Sequence, residues 1–337
     1  MFTIQPFQKT AAEYEAIIKI ANTVWPEEPK TAAQVKRHDE GRHPDFLFQR
    51  LLVEVNGQIV GYGVYGENAW SYQPGKYFIE LTILPAYQKR GLGTALYQHI
   101  FEALASREPA PKLLTTGARE DKVEAIAFLV KRGFSQVMRA PSSKLDLTTF
   151  EPARFAGVVE KVRQSGISIY SMTELKKSAA NWKRIWYDLE CEINRDHPAA
   201  DEGEDLPFET FAGYLDSPLV STDAYFIAVD GRDKYVGLSG LFMNQADPKI
   251  FNTEMTGVVR SHRRRGIATA LKVRAIMFAR ERGGKVIYTG NEEHNPMYQL
   301  NLKLGFTPGP AWLSFHHKLS TAAAADPTHL AAHPPPN

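Results

Sequence analysis

The strongest constraint on the fold is that the chain is written twice. The stretch "QKRGLGTALY" at 88–97 is matched by "RRRGIATALK" at 263–272, so that Gly91 stands 175 positions before Gly266. Around this anchor other features fall into line. "LLVEVNG" (51–57) meets "YFIAVDG" (225–231), and "QIVGYGVYG" (58–66) meets "KYVGLSGLF" (234–242), with Gly61 against Gly237. Downstream, "FLVKRGF" (128–134) meets "NLKLGF" (301–306), and the copies open with "FTIQPFQKT" (2–10) and "ISIYSMTEL" (167–175). Self-similarity of this kind identifies a repeated structural unit before any residue is interpreted.

Each copy reads in one order. A short strand is followed by helical segments such as 11–25 and 180–194. An apolar strand pair then carries Asn-Gly or Asp-Gly at its turn, a strong hairpin signal. A further strand (77–84 or 253–259) runs into the glycine turn, and a long amphipathic helix follows. In copy two Ala270, Leu271, Ala275, Ile276 and Phe278 fall mostly on one face of that helix. A strand, a last helix and a closing strand complete the copy. The order predicts a mixed α/β (α+β) fold in two tandem domains, 1–150 and 167–320. A linker is expected at 151–166, able to form a short helix with a glycine exit, and 321–337 reads as a disordered tail.

Composition bounds the function. The 337 residues carry a formal net charge of +2, with 43% hydrophobic and 23% charged residues. The molecule as a whole therefore offers no strong field for nucleic acid or an anionic membrane. A single cysteine, Cys191, excludes an intramolecular disulfide and any multi-cysteine metal site, and fits a reducing, cytoplasmic setting. "MFTIQPFQK" is not a secretory signal. No apolar run approaches the ~18 residues of a membrane span.

Positive charge is instead concentrated at the two glycine turns. The first turn of a helix leaves N–H groups without partners, and the macrodipole adds partial positive charge there. Glycine lets the backbone approach a ligand closely, and arginines add charge-assisted bonds. Strand, basic glycine turn and helix together make a cradle for a phosphate or pyrophosphate. Neither the Gly-x-x-x-x-Gly-Lys-[Ser/Thr] loop nor the Gly-x-Gly-x-x-Gly dinucleotide fingerprint is present.

At these residues the chain resembles a family. "LPAYQKRGLGTALY" and "VVRSHRRRGIATALK" look like motif A of the GCN5-related N-acetyltransferases (GNAT), and "AIAFLVKRGF" and "NPMYQLNLKLGF" look like motif B. The resemblance covers both halves, and the tandem layout is similar to that of the mycothiol synthases. It implies mixed, mostly antiparallel sheets with a splayed strand, acetyl-CoA as acyl donor, a primary amine of a small molecule as acceptor, and no metal. On this resemblance the pyrophosphate turn maps onto Gln88, Lys89, Arg90, Gly91, Leu92, Gly93 and Thr94, and onto Arg263, Arg264, Arg265, Gly266, Ile267, Ala268 and Thr269. Pantetheine would meet Ile83 and Leu84, or Val258 and Val259, and Asn295 would reach the CoA arm.

The amine must lose a proton to attack, and the developing oxyanion needs a donor such as a strand N–H near Val258. The expected bases are Glu254 and Glu80. Because strand neighbours alternate faces, at most one of them should face the acceptor cleft unless a bulge intervenes. The tyrosine usual four residues before the motif B glycine is missing twice, replaced by Leu129 and Asn301, and Tyr298 is the candidate substitute acid. Copy two keeps more polar residues and is expected to be the catalytic one. The acidic segment 194–209, with Asp196, Asp201, Glu202, Glu204 and Asp205, reads as a solvated run or as an attractor for a cationic amine. His262, His316 and His317 read as surface or edge residues, and Trp25, Trp182 and Trp186 as core. The competing reading is a non-catalytic CoA-binding sensor or scaffold. Nucleic-acid binding ranks last, because no aromatic platform accompanies the arginines.

Overall fold

The computed structural model of the chain describes residues 1–200, 205–217 and 220–319. The expected tail at 321–337 lies outside the described residues, as do Asp201, Glu202 and Glu204 of the acidic segment. Two compact units form. Among the described residues one is built from Met1–Arg139, Ala200 and 312–319, the other from Ala140–Ala199 and Asp205–Ala311.

The first unit runs β1 (Phe2–Pro6), α1 (Ala11–Val24), α2 (Ala32–Glu40), β2 (Phe48–Val55), β3 (Gln58–Gly66), β4 (Lys76–Ile83), α3 (Leu92–Ala105), β5 (Leu113–Arg119) and α4 (Val123–Val130), and the chain continues into β6 (Ser135–Asp146). Thr10 and Glu13 form a capping box that fixes the start of α1. The β2–β3 turn is the two-residue kind read from Asn56-Gly57, both with positive φ (50° and 78°). Leu92, Leu96, Ile100 and Leu104 recur every fourth residue of α3 and are buried. They lie against the sheet at Gly63, where a Cβ would meet Leu96 and Ile100 at 3.0 Å.

The second unit contains α5 (Ala156–Gln164), β7 (Ser168–Ser171), α6 (Met172–Leu175), α7 (Trp182–Asn194), α8 (Phe208–Leu215), β8 (Tyr225–Val229), β9 (Tyr235–Met243), β10 (Ile250–Val258), α9 (Ile267–Glu281), β11 (Val286–Gly290) and α10 (Pro296–Leu304), and the chain continues into β12 (Thr307–Lys318). The β8–β9 turn is longer than its Asp-Gly predicts. Asp230 instead accepts the N–H groups of Arg232 and Lys234 and closes a wider loop. α7 presses on β10 at Gly257, where a Cβ would lie 2.1 Å from Ile193 Cγ2, so only glycine admits the helix there.

The units cut across the boundaries expected at 150 and 167. Residues 151–166, expected as a linker, include α5, whose Val162 is buried in the core of the second unit. The closing strands are exchanged. In the first unit, Trp312–Lys318 of β12 pair antiparallel with Arg119–Leu113 of β5. In the second, Ser142–Asp146 of β6 pair with Gly290–Val286 of β11. Gly117 gives part of the reason, because a Cβ there would stand 2.3 Å from Trp312 Nε1. The Trp312 ring also lies 5.8 Å from that of Trp25. Two copies of one fold present two similar slots, and side-chain shape decides which strand fills each. Among the described residues no helix is long and apolar enough to cross a membrane.

Removal of residues 312–337 should leave β5 an edge strand, held only by its pairing with β4 at Leu113–Thr115. Hydrogen exchange of the Leu113–Arg119 amides should then accelerate strongly, while amides of β8 and β9 keep their protection. Unchanged exchange at β5 would refute the pairing.

Candidate active site

The site in the second unit begins where two strands part. β10 and β11 pair in parallel only at Ile250–Asn252 with Val286–Tyr288, although β10 continues to Val258 and β11 to Gly290. In the first unit β4 and β5 pair in the same way only at Lys76–Phe78 with Leu113–Thr115. The gap beyond Asn252 holds a pocket of about 50 Å³. Thr253–Thr256 of β10 form one wall and Thr289–Asn291 the other, with Lys272 from α9, Asn295 and Met297 at the start of α10, and His197 closing it. This is the splay that the resemblance implied.

The backbone of β10 serves the gap. Val259 donates its N–H to Val236 O at 3.0 Å. Antiparallel alternation then turns the N–H and C=O of Val258 away from β9, toward the side that β11 has left. The Val258 carbonyl accepts Arg263 Nε at 2.9 Å, which leaves its N–H facing the gap. The first unit repeats the device, with Leu84 N–H on Val60 O and Gln88 Nε2 donating to Ile83 O. Gln88 and Arg263, expected as pyrophosphate ligands, thus brace their turns onto the preceding strand.

Both glycine turns adopt the left-handed conformation that the sequence requires, Gly91 at φ 81° and Gly266 at φ 82°. The preceding Lys89 and Arg264 share a positive φ of 60° and 62°. Neither helix has a side-chain cap. The first intrahelical acceptor in α9 is Gly266 O, bonded by Ala270 N, so the N–H groups of Ile267, Ala268 and Thr269 point outward as an anion cradle. The turns differ in their side chains. Lys89 pairs with Glu124 at 2.8 Å, Arg90 donates to Ala86 O, and Thr94 accepts Arg132. Leu92 is buried, and Gly93 faces Phe128 at 3.7 Å from an ideal Cβ. Neither Arg264 nor Arg265 has a carboxylate partner among the described residues.

Asp196 corrects one reading of the acidic segment. It is bonded by both Arg260 and Arg263, which hold its carboxyl well below the usual carboxylate range. It therefore stabilises the turn and does not wait for a cationic amine.

The carboxylates across the sheet form a group that the sequence revealed only in part. β9 and β10 slip register between Thr253 and Thr256, so that Glu254 and Met255 together oppose the single residue Gly240. In the first unit Glu80 alone opposes Val64, with no bulge. The bulge thus intervenes, and Glu254 and Glu80 occupy corresponding places in their sheets. The limit of one cleft-facing carboxylate does not hold. Their surroundings differ. Glu80 is exposed, with Arg42 and Tyr62 as charged and polar neighbours. Glu254 is exposed as well, but the surrounding protein partly desolvates its carboxylate and raises its pKa.

Glu190, from α7, stands beside Glu254. Burial pushes its pKa up to about 7, against the Trp186 indole N–H that donates to it at 2.8 Å, and the charge of Glu254 raises it further. Tyr214 is pushed up to about 12, first by burial and then by the two glutamates. Tyr225, whose ring covers Gly240, is raised for the same reasons. Glu190 has a signal in the sequence. It is acidic beside the buried stripe Trp186, Leu189 and Ile193 of an amphipathic helix. Trp186 is core as expected, and Trp25 and Trp182 are half-buried.

The remaining candidates are placed as follows. Asn295 caps α10 by accepting Met297 N–H at 2.9 Å, and it also lines the pocket. Asn301, at the place of the absent tyrosine, is fully buried and donates to Asn291 Oδ1 at 2.6 Å. Tyr298 is half-buried on α10 and is not among the lining residues, where Met297 stands instead. Among the described residues Glu292, Glu293 and His294 bring three potential ligand atoms within 4.8 Å of one another.

A family model described as the acetyltransferase (GNAT) family matches residues 13–134 and again 178–306. Both matches stop before the exchanged closing strands. Solved structures share the fold. A tandem GNAT protein from the clavulanic acid biosynthesis pathway, solved without AcCoA, aligns with a TM-score of 0.73 at 17% identity, over 94% of this chain and 98% of its own. A GCN5-related N-acetyltransferase from Sphaerobacter thermophilus aligns at 0.69 and 17% identity, over 94% and 95%. A GNAT-family acetyltransferase from Colwellia psychrerythraea aligns at 0.56 and 12%, over 94% and 100%. No curated protein matches the chain.

A glutamate whose folded pKa is raised favours the folded state while protonated, and that preference is lost as pH rises through the folded value. Glu190→Gln should therefore melt several degrees above wild type at pH 8, with the difference vanishing toward pH 4. Equal melting at pH 8 would show that Glu190 is not strained by burial.

Proposed function

Because the chain belongs to the acetyltransferase (GNAT) family and is an acyltransferase, we propose that its second unit moves an acetyl group from acetyl-CoA to the primary amine of a small cationic molecule. The transfer is a direct attack within a ternary complex. The observation that carries this reading is the pocket between the parted strands, lined by Glu254 of β10 and Lys272 of α9, the strand and the helix that flank the glycine turn. The donor suits this site. Pyrophosphate meets the outward N–H groups of Ile267, Ala268 and Thr269 with Arg264 and Arg265, and Val258 N–H meets the acyl arm. Acetyl-CoA supplies an activated acyl carbon.

Residues of the chain perform the rest. Glu190 and Glu254 attract the protonated amine, and desolvation makes Glu254 basic enough to take its proton. Val258 N–H stabilises negative charge on the acyl oxygen. Asn291 and Asn301 fix the far wall through their mutual hydrogen bond. In the first unit the side chains of the turn are spent on Glu124, Ala86 and Arg132, and its carboxylate is solvated. That favours a supporting role, or CoA binding without turnover, for this copy.

The test is calorimetric titration of acetyl-CoA, with release of free thiol measured across a panel of cationic amines. Wild type should bind and turn over. Glu254→Gln should bind acetyl-CoA as wild type does but lose about 10²–10⁴ in kcat. Arg264→Glu with Arg265→Glu should weaken binding. The companion changes Lys89→Glu and Arg90→Glu should leave turnover intact. Full activity in Glu254→Gln would overturn the assigned base. Binding with no thiol release from any amine would favour the sensor or scaffold reading.

A further inference from the structure

α9 is a helix whose inward face is apolar except at one place. Ala270, Leu271, Ala275, Ile276 and Ala279 are buried, and Lys272 is buried among them with only 4% of its surface exposed. Its neighbour among the aromatic rings is Phe306, 5.6 Å from Nζ. No carboxylate offsets it. Burial alone accounts for the change in its acidity, and no ion pair to it occurs among the described residues. An unpaired buried ammonium is costly, and leucine or methionine would fill the same space without that cost. Yet the side chain lines the pocket between the parted strands, alongside Glu254, Asn291 and Asn295.

Resting on the reading given above, we propose that Lys272 is the proton donor to the departing sulfur of CoA, the task left open by the missing motif B tyrosine. Glu254 takes the first proton of the ammonium and releases it to solvent; as the amine nitrogen bonds to the acetyl carbon, its second proton passes to Glu254. The carbon–sulfur bond breaks and its electron pair goes to sulfur. Lys272 Nζ gives that sulfur a proton and recovers one from solvent. Amide and free thiol result, and no oxidant or metal enters.

Two further observations support the assignment. Burial brings the Lys272 ammonium down to about 8, close to the ~8.5 of an ordinary thiol, and acid catalysis works best between groups of matched acidity. The equivalent place in the first unit, six residues after Gly91, is Tyr97. It is buried to the same degree, and its hydroxyl has no hydrogen-bond partner among the described residues. It stands against Phe134 as Lys272 stands against Phe306. Both copies therefore keep a proton-bearing group at this depth, but burial drives Tyr97 up to about 12, far too weak an acid for a thiolate. The titratable groups that share the pocket with Lys272 are Glu254 from β10 and His197, whose pKa burial lowers. β11 and α10 contribute only Thr289, Gly290, Asn291, Asn295 and Met297.

The test reads the sulfur directly. CoA bound to wild type and to Lys272→Met is titrated by the ultraviolet absorbance of its thiolate. An ammonium beside the sulfur should lower the thiol's pKa by about one unit relative to the variant, which gives wild type roughly eightfold more thiolate at pH 7. Desulfo-CoA should bind wild type more weakly than CoA does, and the two should bind Lys272→Met alike. In turnover, wild type should slow as pH rises through about 8. The variant should lose that limb while still binding acetyl-CoA. Lys272→Arg keeps the charge but cannot give up its proton, so it should keep the thiolate shift and lose the rate.

If Lys272→Met does not fold, the wild-type titration still decides, since a bound thiol with unshifted acidity overturns the proposal. Failure of wild type to bind CoA would overturn the transferase reading as well. Binding with identical thiol titration in both proteins would remove only the role of Lys272.

Discussion

The candidate site depends on a parallel ladder that stops early. Pairing of β10 with β11 ends at Asn252 and Tyr288, and both strands continue without each other. An unpaired backbone group in a closed sheet is costly, so the gap persists only where ligand, water or side chains satisfy it. Beyond the gap Val258 turns its N–H away from β9, and Lys272 and Glu254 line the pocket that the gap opens. Without it the glycine turn of α9 would stand at the end of a closed sheet with no pocket beside it.

A second constraint is the bulge opposite Gly240. One extra residue in β10 lets Glu254 take the face that strict alternation would deny it. Gly240 is needed because the ring of Tyr225 lies across it, 2.4 Å from where a Cβ would stand. Tyr225 in turn contacts Trp186, whose indole holds Glu190. The acidic pair is thus built from three strands and one helix. Its raised proton affinities are a consequence of that packing, because removal of water penalises the charged form of each carboxyl.

The two units use the same backbone with different side chains. Gln88 and Arg263 brace their turns in the same way, and Lys89 and Arg264 share one strained conformation. What separates the copies is what surrounds those turns. Glu124 and Arg132 engage the first, whereas Arg264 and Arg265 of the second face no carboxylate among the described residues.

Several features follow from the sequence alone because they are local. Gly91 and Gly266 must occupy left-handed turns, Thr10 and Glu13 must cap a helix, and the spacing of Leu92, Leu96, Ile100 and Leu104 leaves one face to bury. Duplication then sets the order of elements in both copies. Lys272 and Glu190 were legible in the same terms, as charges within or beside an apolar stripe, but their purpose was not. Tertiary structure decided the rest. The pairing of Asp196 with Arg260 and Arg263, the register slip at Glu254, and the exchange of closing strands join residues that local periodicity cannot connect. A helix or a turn is fixed by steric rules over a few neighbouring residues. The acidity of a carboxyl or an ammonium is fixed by which distant walls exclude water from it, and only the folded chain determines those walls.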